Sequence, residues 1–405
     1  MEQFTGVIGV VVLLGIAYLL SNNKKMIDAN IIIWGLGLQT SFAFIILKTP
    51  LGKYFFTYLN DIIVKLIGFA DAGSDFLFKS FIPEVGYHVA LINFAFRALP
   101  VIIFFSSLIA VTYYFGIIQF IIKKIAFIME KTMKTSGAET LSVSANIFVG
   151  QTEAPILIRP FISSMTKSEL MAIMVGGFAT VAGSVMALYV SWLNNIPNIA
   201  GHLLAASVMS APAALMIAKV IYPETEKPKT VNTDNIDLKT EDINAMDAIG
   251  RGASDGMKLA ANVAAMLIAF ISIVAMINFI LGYANTSLQE VLGMIFKPIA
   301  WSMGVPWEEA NIVGTLMGEK IVLTELIAFR ELTNYIKNGL LSERSAIIAS
   351  YALCGFANVG SIGIQLGGIG ALAPERRGDL SNLVFKAMIG GALASWLTAS
   401  IAGIL

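Results

Sequence analysis

Cysteine, histidine and charge are all scarce in this 405-residue chain. A single cysteine, Cys354, excludes a disulfide framework and any Cys-based zinc site. The two histidines, His88 and His202, lie far apart and no H-E-x-x-H occurs, which argues against a catalytic zinc. Charged residues make up 13% of the chain, whereas soluble domains carry about 25%. The formal net charge is zero, so nothing electrostatic points to nucleic acid or to a basic partner surface. What remains is apolar. Hydrophobic residues reach 57% and the mean hydropathy is +0.77, the composition of an all-α polytopic membrane protein.

Apolar runs near twenty residues are expected to span the bilayer. They fall at 4–21, 29–48, 96–121, 169–193, 197–220, 258–283, 344–366 and 380–404, eight in all. The first has no basic residues before it and is long for a signal-peptide core, so it is expected to be a retained helix. Lys24 and Lys25 follow it in a short loop; Lys123, Lys124, Lys131 and Lys134 follow the third run; Lys219 to Lys239 follow the fifth; Arg376 and Arg377 mark the loop before the eighth, and Lys386 its start. All fall on one side, which the positive-inside rule assigns to the cytoplasm, with both termini outside.

Residues 1–95 are expected to form an N-terminal scaffold in which 52–92, interrupted by Asp61, Lys65, Asp71, Asp75, Lys79 and Glu84, makes interfacial helices. The stretch 222–250, with Pro223, Pro228, Asp234, Asp237, Glu241 and Asp242, is expected to be a cytoplasmic linker. It separates a first repeat, 96–221, from a second, 251–405.

Two segments, 137–165 and 306–334, are apolar but broken by Gly, Pro or charge, and are expected to be re-entrant helical hairpins. Their tips carry Gly150-Gln151-Thr152-Glu153-Ala154-Pro155 and Lys320-Ile321-Val322-Leu323-Thr324-Glu325-Leu326. About thirty residues after each glutamate comes a glycine-containing interruption of a span, at Thr180-Val181-Ala182-Gly183 in 169–193 and at Cys354-Gly355-Phe356-Ala357-Asn358 in 344–366. A carboxylate among membrane-depth helices is costly and marks a functional site. A hairpin plus a broken helix, once per half and entering from opposite sides, describes an inverted repeat with its binding site at the midplane.

Each of these residues also has a plainer structural reading. Gln151, Thr152 and Glu153 could be a polar pin holding the hairpin to a neighbour. Asn358 and Ser361, at i and i+3, could be helix-packing glue, and Phe356 a core residue. Arg97, Arg159 and Arg330 are expected to be anchors or charge partners rather than ligand contacts. Glu319 is expected to be an exposed hairpin residue, the alternative being a proton-coupling group.

At these positions the chain resembles the concentrative nucleoside transporter family, bacterial branch. The likeness runs over nearly the whole length and is most specific at 146–160 (N-I-F-V-G-Q-T-E-A-P-I-L-I-R-P), Thr180–Val185, Gly304–Ala310 and Ala352–Ile364, which contains C-G-F-A-N. The resemblance implies a homotrimer with eight spans, two opposed hairpins and interfacial helices per protomer, importing nucleosides with sodium or, in some members, protons. It implies that Gln151, Thr152 and Glu153 bind the nucleobase, with Val185 beneath it. Glu325, Asn358 and Ser361 would hold the ribose, with Phe356 lining the site. Sodium would be held by Asn146 and Thr180 side chains and by Val149 and Val181 carbonyls. The chain departs from the family pattern at Thr324 and Leu326, where Asn-Glu-Phe is usual around the glutamate, and at Gly360, where Ser is usual.

The function expected is therefore a sodium-coupled nucleoside symporter of the bacterial inner membrane. A proton-coupled symporter and a same-fold carrier of nucleobases or another polar metabolite are the alternatives. A membrane enzyme is disfavoured: Gly252-Ala253-Ser254-Asp255-Gly256 fits G-x-S-x-G, but at an expected loop–helix junction with no histidine in the segment. A passive channel lacks any charged ring or filter-like carbonyl repeat.

Overall fold

The computed structural model describes residues 2–79, 91, 93–230 and 242–405. Glu84, His88, Asp234, Asp237, Lys239 and Glu241 lie outside them. Among the described residues every regular element is helical.

The chain opens with α1 (Glu2–Leu19), α2 (Ala29–Lys48) and α3 (Pro50–Phe78). Thr49 accepts from Gly52 N and Pro50 starts α3, so the bend between α2 and α3 is a capped restart rather than a kink. Residues expected to form several interfacial helices thus begin as one helix of 29 residues. The third apolar run breaks where sequence gave no warning. A π-turn at Phe94–Ala98 leads into α4 (Leu99–Tyr114), and Gly116, at φ 77°, turns the chain into α5 (Ile117–Met133). The boundary 121 of the expected span therefore falls inside α5, which carries Lys123, Lys124 and Lys131.

Next come α6 (Gly137–Ala145) and two single-turn pieces, α7 (Glu153–Ile156) and α8 (Arg159–Ile162). They are followed by the interrupted pair α9 (Lys167–Ala179) and α10 (Gly183–Trp192), and by α11 (Ile199–Ile221). Ser136 and Thr166 start α6 and α9 with capping boxes closed by Glu139 and Glu169. The chain continues with α12 (Ala245–Gly282), α13 (Leu288–Ser302), α14 (Ala310–Val322), α15 (Glu325–Lys337), the interrupted pair α16 (Glu343–Leu353) and α17 (Val359–Leu372), and α18 (Arg377–Ile404). Because α12 begins at Ala245, the linker expected over 222–250 ends earlier and the boundary at 250 falls within a helix.

Among the described residues six stretches are long and apolar enough to cross a membrane: Ala29–Lys48, Ala95–Tyr114, Lys167–Trp192, Ile199–Ile221, Ala245–Gly282 and Pro374–Ile404. Phe4–Leu19 and Val359–Leu372 are shorter apolar helices. Burial sorts them. Paired α9 and α10, α11 and α18 are almost wholly enclosed, while the apolar face of α12 is bare. That contrast distinguishes a protein-packed centre from a helix whose apolar face no other part of the described chain covers.

The G-x-S-x-G match sits in the second and third turns of α12, not at a loop junction. Its glycines let α12 ride on α4: a Cβ at Gly252 would stand 2.7 Å from Ser107 Cα, and one at Gly256 2.7 Å from Ile103 Cα. This is small-residue helix packing. His202 lies in α11 with its Nδ1 3.2 Å from the Tyr351 hydroxyl.

Deep in the core, Lys219 of α11 pairs with Glu139 of α6 at 2.8 Å, both side chains almost fully buried. Its ammonium also donates to Ser168 Oγ at 3.0 Å and to Glu224 at 3.3 Å. The start of α6 is thereby tied to the end of α11.

Candidate binding site between the helix breaks

Three non-helical stretches meet. Gly355, at φ 139°, lies against the end of α9; a Cβ there would stand 2.7 Å from the Phe178 carbonyl oxygen and 2.9 Å from that of Ala179. Only glycine accommodates both the positive φ and that approach. The Phe356 N–H donates to Thr180 O at 3.3 Å, so the two interrupted helices touch back to back. The loop after α6 joins them through Gly183 N–H, which donates to Phe148 O at 3.1 Å.

From this junction α17 departs with Asn358 as its N-cap. Asn358 Oδ1 accepts from Ser361 N at 2.8 Å, which leaves its amide nitrogen free to donate to Glu325 Oε2 at 2.8 Å. Glu325 Oε1 accepts from the Tyr189 hydroxyl at 2.9 Å, and the Tyr189 ring stacks on Phe329 at 4.2 Å between centroids. Two turns along α17, Gln365 Nε2 donates to Gln151 Oε1 at 3.1 Å and to Met174 O at 3.0 Å. Asn358, Ser361 and Gln365 follow i, i+3, i+7 spacing and share one buried face. Glu325 from the α14–α15 turn and Gln151 from the loop before α7 are thus fastened to the same helix face, roughly 10 Å apart along its axis.

Two distant polar turns thus converge on one broken helix. Family models match in that sense and cover most of the chain: "Na+ dependent nucleoside transporter N-terminus" over 8–81, "Nucleoside recognition" over 95–195 and "Na+ dependent nucleoside transporter C-terminus" over 202–403. The chain belongs to the concentrative nucleoside transporter family. An uncharacterized transporter of Haemophilus influenzae is 43% identical, covering 100% of this chain and 98% of its own length. Sodium/nucleoside cotransporter 1 of Rattus norvegicus is 40% identical over 100% of this chain, which spans 64% of that longer protein. Among solved structures, CNTnw in an inward-facing substrate-bound state superposes with a TM-score of 0.92 at 41% identity, covering 100% of this chain and 98% of that one. A nucleoside transporter of this family is a membrane carrier and not an enzyme.

Within this concentrative nucleoside transporter the singled-out residues divide into three groups. Gln151, Glu325, Asn358 and Ser361 are buried and held on or against α17. Thr152 packs against Gly368 of α17, whereas Glu153 opens α7 with its side chain exposed and folded over Gly150. Val185 is buried in the first turn of α10, and Phe356 is half-buried at the other break. Asn146 and Val149 follow α6, Thr180 and Val181 form the α9–α10 break, and the bond from Gly183 N to Phe148 O joins the two segments. Asn146 and Thr180 are almost fully buried, their side chains donating to Ser142 O at 3.2 Å and Gly176 O at 3.1 Å. Asn146 Oδ1 is buried with no hydrogen-bond partner, and so is Ser142 Oγ. Unpaired buried oxygens are costly; this donor set of amide, hydroxyl and carbonyl oxygens fits a small hard cation.

Three contributors escaped the sequence reading. Tyr189 and Gln365 stand among mostly apolar neighbours and Lys320 directly follows Glu319, and their spacing to Gly183, Asn358 and Glu325 is the signal that could have found them. Glu319 is corrected: it is buried, not exposed, and lines a cavity of about 400 Å³ with Gln289, Trp192, Arg330 and Tyr335. Arg330 and Arg159 are exposed, and Arg97 pairs with Asp71 and Asp75 at 3.3 and 3.1 Å. Thr324 accounts for its departure from the family pattern. Its hydroxyl caps α15, accepting from Ile327 N at 3.4 Å, a task Asn does equally well.

Proposed function

We propose that this protein is a secondary-active symporter that brings nucleosides across the bacterial inner membrane on a sodium gradient. The convergence of Gln151 and Glu325 on one face of α17 carries the reading. A ligand with a heterocyclic base at one end and a diol at the other matches two polar groups about two helical turns apart. Gln151, Thr152 and Glu153 offer donors and acceptors to the base edge, and Val185 offers an apolar seat. Glu325, oriented by Tyr189 and Asn358, accepts from ribose hydroxyls, with Ser361 and Phe356 completing the pocket. A site built to bond hydroxyls discriminates strongly against ligands that lack them.

Sodium is the coupling ion in this reading, held by Asn146, Thr180 and the carbonyls of Val149 and Val181. The orphaned Asn146 Oδ1 favours it over a proton, since an amide has no titratable group to offer. The twofold helix succession, α4 to α11 and α12 to α18, supports an inverted repeat, with α6–α8 and α14–α15 as opposed re-entrant hairpins. Eight spans follow if α1 and the α16–α17 pair also cross, with both termini outside. The bare apolar face of α12 suits a homotrimer contact or lipid.

The test is uptake of radiolabelled uridine, adenosine and uracil into proteoliposomes under separate sodium and proton gradients. Sodium-driven uptake of nucleosides that uracil fails to compete supports the reading. Uptake driven by the proton gradient alone, or uracil carried as well as uridine, overturns it.

A further inference from the structure

Positions related by one constant offset carry different polar groups in the two halves. The spacing from Glu153 to Glu325 equals that from Gly183 to Gly355, and it carries Asn146 to Gly318, Phe148 to Lys320 and Thr180 to Ala352. In the first half, position 146 presents an unpaired buried amide oxygen and position 148 an apolar side chain. In the second half the polar group stands at the other of these two positions. Position 318 is glycine, and position 320 is a lysine with no exposure at all. The Lys320 ammonium donates to Ala352 O at 2.9 Å and to Ser395 Oγ at 2.8 Å, and Ser395 Oγ in turn donates to Ala392 O at 3.0 Å. Ala352 is the counterpart of Thr180, and its carbonyl lies in the last turn of α16 as Thr180 lies at the end of α9. Both helix ends carry partial negative charge that a cation neutralises.

We infer that Lys320 is a tethered substitute for a second sodium ion: its ammonium fills the repeat-related counterpart of the site around Asn146 and Thr180, so this chain couples one sodium to each nucleoside. The inference rests on the sodium reading above. An ammonium cannot leave, so the second half keeps its helix end neutralised throughout the cycle, while the first half exchanges its cation with solution.

The test compares sodium titrations of thermal stability for the purified protein, K320S and K320M, alongside the sodium-to-nucleoside ratio from reversal potentials of the unsubstituted protein in proteoliposomes. K320S leaves an oxygen and room for an ion; K320M fills the room with an apolar chain. The unsubstituted protein is expected to titrate with a Hill coefficient of about one and K320S with a coefficient rising towards two. K320M is expected to lose stability that sodium does not restore. One sodium per nucleoside is expected for the unsubstituted protein, a measurement that needs no variant to fold. Two sodium ions per nucleoside, or a K320S titration no steeper than that of the unsubstituted protein, overturns the inference alone. No sodium response in the unsubstituted protein overturns the sodium reading, and this inference with it.

Discussion

Asn358 and Glu325 are joined by a 2.8 Å hydrogen bond in which the amide that caps one helix also orients the carboxylate that opens another. Asn358 Oδ1 is committed to Ser361 N, so the amide cannot flip, and Glu325 Oε2 always meets a donor there. The Tyr189 hydroxyl fixes the other oxygen. A carboxylate so held is poised to accept from a ligand without first reorganising.

Glu325→Gln should therefore weaken nucleoside binding by roughly 10- to 100-fold, the loss of a charge-assisted hydrogen bond. The fold should survive, because the Gln oxygen can still accept from Asn358 while its amide nitrogen donates to the Tyr189 hydroxyl. Calorimetry with uridine on the purified variant checks both; unaltered affinity would remove Glu325 from the site.

Tyr189→Phe keeps the stack on Phe329 but removes the donor to Glu325. The expected loss is about 1–2 kcal/mol in nucleoside binding, seen as a raised KM with near-normal melting temperature. A fall in stability with unchanged KM would make Tyr189 a packing residue only.

Gln365→Leu leaves Gln151 Oε1 and Met174 O without their donor in a buried setting. A cost of about 1–3 kcal/mol is expected, split between stability and base recognition. Uptake of nucleosides differing only in the base should show a change in relative preference. Equal loss for all bases would mean that Gln365 merely braces the loop.

Asn146→Ala should raise the sodium concentration for half-maximal stabilisation at least about tenfold, since an oxygen ligand worth on the order of 1.4 kcal/mol or more is removed. The sodium dependence of melting temperature, measured without nucleoside, reads this directly. Retained sodium affinity would move the ion elsewhere.

Lys219→Met strands the Glu139 carboxylate in the core. Loss of one partner of a buried pair costs about 3–5 kcal/mol, so the melting temperature should fall sharply. The double change with Glu139→Gln should recover much of it, and failure to recover would show that Glu224 or Ser168 carries the stabilisation instead.

Legibility in the sequence followed chemistry more than geometry. Polar groups were conspicuous where the surroundings were apolar, so Gln151, Glu153, Glu325 and Asn358 could be named from composition alone. Helix ends were less visible. The turn at Gly116 and the start of α12 at Ala245 lie within or beside runs whose hydropathy does not change there, and position-specific backbone angles decide such breaks. Glu319 and Lys320 show the same limit from the other side: adjacent charged residues look equally exposed in one dimension, yet both are enclosed.

By itself the sequence determined that this is a helical membrane protein with two glutamate-bearing interruptions and two broken spans, because burying charge or breaking a helix in lipid leaves a mark in composition. Tertiary structure alone decided which polar groups meet. Gln365 finds Gln151, Asn358 finds Glu325 and Lys320 finds Ala352 only when α17 and α16 are set against helices far away in the chain. Hydrogen bonds depend on distances of about 3 Å, and no spacing in sequence encodes those across separate helices.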